Sequence, residues 1–197
     1  MISCILLSAG LSSRFGSPKA LAKINQKTIV EHIQTTLIEA SVGEIVVVLG
    51  AQADQIKPFI LKHKRIKFVY NKDYNFGQTS SFKIGLENIS KKSLGVMLLP
   101  VDYPLVKVET IQRLSDFFLN EMPTILLPVF NNKKGHPPIF HSKLTKEFLA
   151  LDNSLGINTI IHEHPETILL PVQDSGVTKT FNTPEEFEKV KEEMGNF

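Results

Sequence analysis

LLSAGLSSRFGSPKAL, residues Leu6 to Leu21, sets an apolar run directly against a loop of glycine, alanine and serine whose only charges are Arg14 and Lys19. Gly10 and Gly16 let such a loop bend tightly, and the small residues between them let backbone N–H groups approach an anion. Arg14 brings a planar fork of donors and Lys19 a mobile point charge, a combination suited to a phosphate chain. The glycines stand six apart, so neither G-x-G-x-x-G nor G-x-x-x-x-G-K-[ST] is present, which excludes a hydride-transfer fingerprint and a P-loop. Taken alone, the stretch is equally well read as a surface βα loop with two solvated cations.

Further along, short apolar runs alternate with helical patterns. Cys4–Leu7, Glu44–Leu49, Ile66–Tyr70, Gly95–Leu99, Ile125–Val129 and Ile168–Val172 read as strands, several of them buried on both faces. Thr28-x-x-Glu31 is a capping box ahead of Ile29, Ile33 and Leu37 on one helical face. Thr79 to Ile89 and Glu109 to Asn120 carry similar stripes, with Thr79 or Ser80 as the expected N-cap of the former. Thr183-Pro184-Glu185-Glu186 opens a last helix with Phe187, Val190 and Met194 as its apolar stripe. This alternation predicts a single-domain, Rossmann-like α/β fold over residues 1–197, a mostly parallel open sheet with helices on both faces.

With 22 basic and 20 acidic side chains, the net charge of +2 is too even for a nucleic-acid or membrane-surface partner. The lone Cys4 lies in an apolar run and reads as a small buried side chain in a reducing compartment. Met1-ISCILL lacks the basic region of a signal peptide, and no apolar run approaches the roughly 20 residues of a membrane span. A cytoplasmic protein is expected.

Ligands of such sheets bind at the carboxyl ends of the strands. Asp102, in PVDYP, follows one apolar run and can hold magnesium, which commonly takes one or two protein oxygens plus substrate phosphates. Asn182, just before Thr183, can add a neutral oxygen, although each residue alone is also an ordinary turn residue. Gly77-Gln78-Thr79-Ser80-Ser81 opens a helix whose free N–H groups can receive an anion or a base edge. Lys134-Gly135-His136-Pro137-Pro138 is a rigid turn suited to a pocket rim. His162 and His164, two apart, point to different helix faces and read as surface residues rather than a metal pair.

Together these strings resemble a known family. LLSAGLSSRFGSPKAL is similar to the L-A-A-G-x-S-x-R-M/F-G-x-x-K-x-L signature of the MobA-like NTP transferases, and YNKDYNFGQTSSFKIGL, VDYPLV, GHPPIF and NTPEEFEKV follow in the family's order. The likeness is strongest to the branch of molybdenum cofactor cytidylyltransferases. It implies that Leu7, Ser8, Ala9 and Gly10 hold base and ribose, that Arg14 and Lys19 grip the triphosphate, and that Asn71, Gly77 and Ser81 contact the nucleotide. It implies Asp102 and Asn182 as Mg2+ ligands, His136 near the acceptor, CTP and molybdenum cofactor as substrates, and a xanthine dehydrogenase-type apo-enzyme or its chaperone as recipient; the alternatives are a related transferase using GTP or a sugar phosphate, and a cofactor binding or delivery protein. Alanine at position 9, where guanylyl enzymes carry an extra glycine, is what points to CTP. Departures are Ser8 for alanine, Tyr103 for the methionine of D-M-P, Asn182 for the aspartate of D-T-P, and LDNSLGIN without the usual glycine-aspartate step.

Overall fold

The computed structural model describes residues 1–194, with Met194 by its backbone alone, so that residue's expected place in the last apolar stripe lies outside the described side chains. Strand β1 (Ile2–Ser8) is buried along its whole length. Its alternate side chains feed two cores, Cys4 and Leu6 on one face and Ile5 and Leu7 on the other, as a strand covered on both sides requires. After the first loop comes a short antiparallel ribbon, β2 (Lys23–Ile24) and β3 (Lys27–Thr28). Strand β4 (Glu44–Leu49) repeats the division, with Ile45, Val47 and Leu49 facing one core and Val46 and Val48 the other.

β1 pairs in parallel with β4 on one side and with β6 (Gly95–Pro100) on the other, and β4 continues in parallel to β5 (Ile66–Tyr70). Beyond β6, β7 (Ile125–Phe130) and β10 (Ile168–Pro171) form a second parallel pair. The strand order is β10-β7-β9-β6-β1-β4-β5, with β9 (Ile139–His141) antiparallel to both its neighbours and β8 (Lys133–Lys134) off the edge of β7. The mostly parallel open sheet is therefore present, and the antiparallel insertion is an addition to the expected strands. Its cause is local: Asn131 and Asn132 at φ 48° and 62° form a left-handed two-residue turn, which asparagine tolerates and which reverses β7 into β8. The GHPP segment then carries the chain back between β6 and β7.

Helices cover both faces. One core takes Ile29, Ile33 and Leu37 of α1 (Ile29–Glu39), Ile111, Leu114 and Phe118 of α4 (Val108–Glu121), and Phe187 and Val190 of α7 (Pro184–Met194). The other takes Phe82 and Leu86 of α3 (Gln78–Asn88), Phe148 of α5 (Thr145–Ala150) and Ile160 of α6 (Asn158–Glu163). The capping box of α1 forms as expected: the Glu31 N–H donates to Thr28 Oγ1 at 3.3 Å, and the Glu31 carboxylate accepts from the Thr28 N–H at 2.9 Å. The N-cap expected for α3 is corrected. The helix starts at Gln78 with Gly77 as cap, at φ 88° and without a side-chain cap, because the Thr79 and Ser80 hydroxyls donate elsewhere, to the carbonyls of Leu155 and of Asp73 and Gly77. Gly85 lets α3 seat closely on the sheet, since a Cβ there would lie 2.5 Å from Ile5 Cγ2. Among the described residues no helix is long and apolar enough to cross a membrane.

Candidate active site

Where β1 and β6 end, their following loops face one another across a cavity of about 300 Å³. Leu7 and Ser8 line it from the end of β1, Ala9, Gly10, Arg14 and Lys19 from the first loop, Gly77, Gln78 and Ser81 from the start of α3, Asp102 from the loop after β6, and Asn182 from the approach to α7. The first loop holds its shape through its own backbone. Ser12, at φ 52°, accepts from the N–H groups of Phe15 and Gly16 at 3.0 and 3.1 Å, and Gly16 sits at φ 79°, where a side chain is strained. Phe15 then anchors the loop, with its ring 5.5 Å from that of Phe181 and 5.6 Å from that of Phe187. This aromatic cluster ties the loop to α7 and so brings residues 168 positions apart into one site.

Lys19 is the centre of that site. Its Nζ donates to Asn182 Oδ1 at 2.8 Å, lies 3.4 Å from Asp102 Oδ2 and stands over the Phe181 ring, 5.6 Å from its centroid. Arg14, more exposed, donates to the same Asn182 oxygen at 3.3 Å. Asn182 is itself fastened from behind, since its N–H donates to Glu186 Oε2 at 2.6 Å. Thr183 caps α7, its Oγ1 accepting from the Glu186 N–H at 3.3 Å, while the Glu186 carboxylate takes the Asn182 N–H. Two hard oxygen donors, one carboxylate and one amide, converge on a single ammonium, and this donor set suits a divalent cation completed by water and phosphate oxygens. It is a pair rather than a cage, for the described residues contain no cluster of three or more His, Cys, Asp or Glu that could enclose a metal.

Two residues singled out by sequence stand elsewhere. Asn71, 2% exposed, is not on the cavity wall. Its Nδ2 donates to the Ser80 and Ser81 hydroxyls at 3.0 Å and its Oδ1 accepts from the Asp73 N–H, so it fastens the end of β5 to α3 and orients Ser81 from behind. His136 lines a second cavity of about 320 Å³, with Tyr103, Lys134, Asn158 and His162. Its ring lies against that of Tyr103 at a centroid distance of 4.3 Å and a tilt of 39°, and its Nδ1 is buried without a hydrogen-bond partner. Burial lowers the His136 pKa from its ordinary value, against the opposing pull of the Leu98 carbonyl and the Asp102 charge. Burial also raises the Tyr103 pKa, with the Asp102 carboxylate adding to it.

The expected surface pair divides between two environments. His162 is exposed but lines the second cavity, whereas His164 is held between Glu147 Oε2 and Glu166 Oε1, each at 2.9 Å, which raises its pKa. Sequence reading had also passed over Phe15 and Phe181 as loop anchors, and Gln52, whose Nε2 donates to the Leu11 carbonyl at 3.1 Å while its Oε1 is buried without a partner. For Phe15 a signal existed, an apolar residue inside an otherwise small and polar loop. For Gln52 none did.

With this geometry established, comparison with known proteins is informative. The family model described as the MobA-like NTP transferase domain matches residues 4–168. A probable molybdenum cofactor guanylyltransferase of Bacillus mycoides is 30% identical over 149 residues, spanning 75% of this chain and 72% of that protein. The bifunctional protein GlmU of Thermoanaerobacter pseudethanolicus is 29% identical over 143 residues, 71% of this chain, and the chain spans only 30% of its length. Among solved structures, Rv0371c of Mycobacterium tuberculosis H37Rv superposes with a TM-score of 0.84 at 22% identity over 97% of both chains, and its complex with manganese with a TM-score of 0.80.

Proposed function

The chain belongs to the MobA-like NTP transferase domain family, and on that footing we propose that it transfers CMP from CTP to the terminal phosphate of molybdopterin-bound molybdenum cofactor, releasing pyrophosphate. The observation that carries this reading is the pairing of two cavities of similar size, one with Arg14, Lys19, Asp102 and Asn182 gathered at one end, the other opening beside it on His136 and Tyr103. The first suits a nucleoside triphosphate. Leu7, Ser8, Ala9 and Gly10 offer backbone groups to base and ribose, Gly77 and Ser81 close the opposite wall, and Asn71 acts by orienting Ser81. The second suits the acceptor, with the tilted aromatic pair of Tyr103 and His136 as an apolar wall for a ring system and Lys134 at the rim for an anion.

In the reaction, an oxygen of the acceptor phosphate attacks the α-phosphorus. One phosphorus–oxygen bond forms, the bond to the bridging oxygen of the leaving pyrophosphate breaks, and that electron pair departs with pyrophosphate. No protein nucleophile is required. Arg14 and Lys19 donate to the oxygens on which charge accumulates, which is where preorganised donors accelerate phosphoryl chemistry most. Asp102 and Asn182 would hold a divalent cation, Mg2+ in our reading, whose contribution is Lewis-acid neutralisation of phosphate charge; the manganese complex of a structural neighbour supports a divalent metal. The hydrogen bond of the Asn182 N–H to Glu186 fixes the neutral ligand.

Cytidine is favoured by Ala9. It stands where guanylyl enzymes carry an extra glycine, and its methyl is buried beside Gly50, where a Cβ would lie 2.8 Å from it. The relative named as a guanylyltransferase favours GTP instead. A pyrophosphate-release assay with CTP, GTP, UTP and ATP, with and without purified molybdenum cofactor, separates the two. We expect release only with CTP and the cofactor together. Equal rates with GTP defeat the cytidylyl assignment, and release that ignores the cofactor defeats the acceptor. A single cytoplasmic domain handing its product to a xanthine dehydrogenase-type apo-enzyme completes this reading.

A further inference from the structure

Gln78 is the one described residue that lines both cavities. It opens α3, its side chain is exposed, and no other described group hydrogen-bonds its amide. Its neighbours in the same turn differ in this respect. Thr79 donates to the Leu155 carbonyl, Ser80 to Asp73 and Gly77, and Ser81 to Gly77 while accepting from Asn71. Every other polar side chain of that turn is committed to the fold, and only Gln78 is left to a ligand.

Its position sets the chemistry it can serve. In a reaction between two phosphates, two anions must approach at the junction of the cavities. The available cations stand to either side, Arg14 and Lys19 in the first cavity and Lys134 on the second. A neutral primary amide has two N–H donors that can each reach a different anion, and it adds no charge of its own. Resting on the two-cavity reading above, we propose that Gln78 bridges the substrates, its Nε2 donating to the α-phosphate and to the attacking phosphate of the acceptor.

The test uses Gln78→Ala and Gln78→Glu in the full chain, with CTP and molybdenum cofactor varied separately. Loss of two hydrogen bonds to anions should lower kcat or raise the acceptor KM at least about tenfold in Gln78→Ala. A carboxylate between two anions should cost at least about 100-fold in Gln78→Glu. Melting temperature should be unchanged in both variants. Wild-type kcat and acceptor KM in both variants overturn the bridge. If the wild type itself releases no pyrophosphate with the cofactor, the proposed reaction has failed, and the bridge is judged by binding. The nucleoside triphosphate giving the largest thermal shift is titrated with and without saturating inorganic phosphate. Coupling of about fivefold in the wild type that vanishes in Gln78→Ala supports the bridge, and its absence from the wild type overturns it.

Discussion

Replacing Lys19 with alanine separates the chemistry of the site from its stability. The ammonium touches Asn182 Oδ1 at 2.8 Å and faces Asp102 Oδ2 at 3.4 Å, with the two side chains of the ion pair 14% and 22% exposed. Because Asp102 keeps contact with solvent, losing its partner strands no dry charge, and the cost to folding should be about 1 kcal/mol, typical of a partly solvated pair. For a chain of this length that is a drop of about 2–4 °C in melting temperature. The catalytic cost is of another order. A preorganised donor aimed at developing charge is worth about 100- to 1,000-fold in rate, or roughly 2.7–4 kcal/mol. The assay is steady-state pyrophosphate release beside a thermal melt of the same preparation. Turnover within about tenfold of wild type, from a protein that melts normally, would refute the placement of Lys19 at the leaving pyrophosphate.

Asp174, 3% exposed, accepts from the Lys107 N–H, the Thr110 hydroxyl and the Gly176 N–H, so Asp174→Ala should strip α4 of its N-terminal tie and cost about 3 kcal/mol in urea unfolding. Gly85→Ala should destabilise by about 1–3 kcal/mol, since its new Cβ meets Ile5 at 2.5 Å and the crowding outweighs the gain in helix propensity; an unchanged urea midpoint would show that α3 seats more loosely. His164 is held by Glu147 and Glu166, which raise its pKa above the unfolded value. The stabilisation it gives is therefore complete below the ordinary histidine value of about 6.5 and lost as pH rises through the raised one. Wild type minus His164→Ala should differ most near pH 6 and converge in alkali; a difference growing with pH would contradict the assignment.

The strand and helix order was legible because period-two and period-3.6 patterns record which face of each element is buried. β1 and β4, with unbroken apolar runs from Cys4 to Leu7 and from Ile45 to Leu49, and α1, with its capping box, needed nothing beyond local sequence. β9 was not legible, since three residues carry little periodicity and its place between β6 and β7 follows from the Asn131–Asn132 reversal and the path after it. The start of α3 was misplaced because side chains that look like caps were drawn to more distant carbonyls. Asn71 shows the same limit: an amide near a nucleotide motif reads as a ligand until its three hydrogen bonds to the fold are seen.

LLSAGLSSRFGSPKAL by itself determined that a buried strand opens into a small, cation-bearing turn, because glycine, alanine and serine leave the backbone free and Arg14 and Lys19 supply the charge. What only tertiary structure decided is where those cations point. Phe15 packing on Phe181 and Phe187 brings the turn to α7, and so sets Lys19 between Asp102 and Asn182, residues 83 and 163 positions away along the chain. The junction of the two cavities at Gln78 was likewise set by the sheet, since strand order is fixed by long-range pairing and no local pattern encodes which loops will meet.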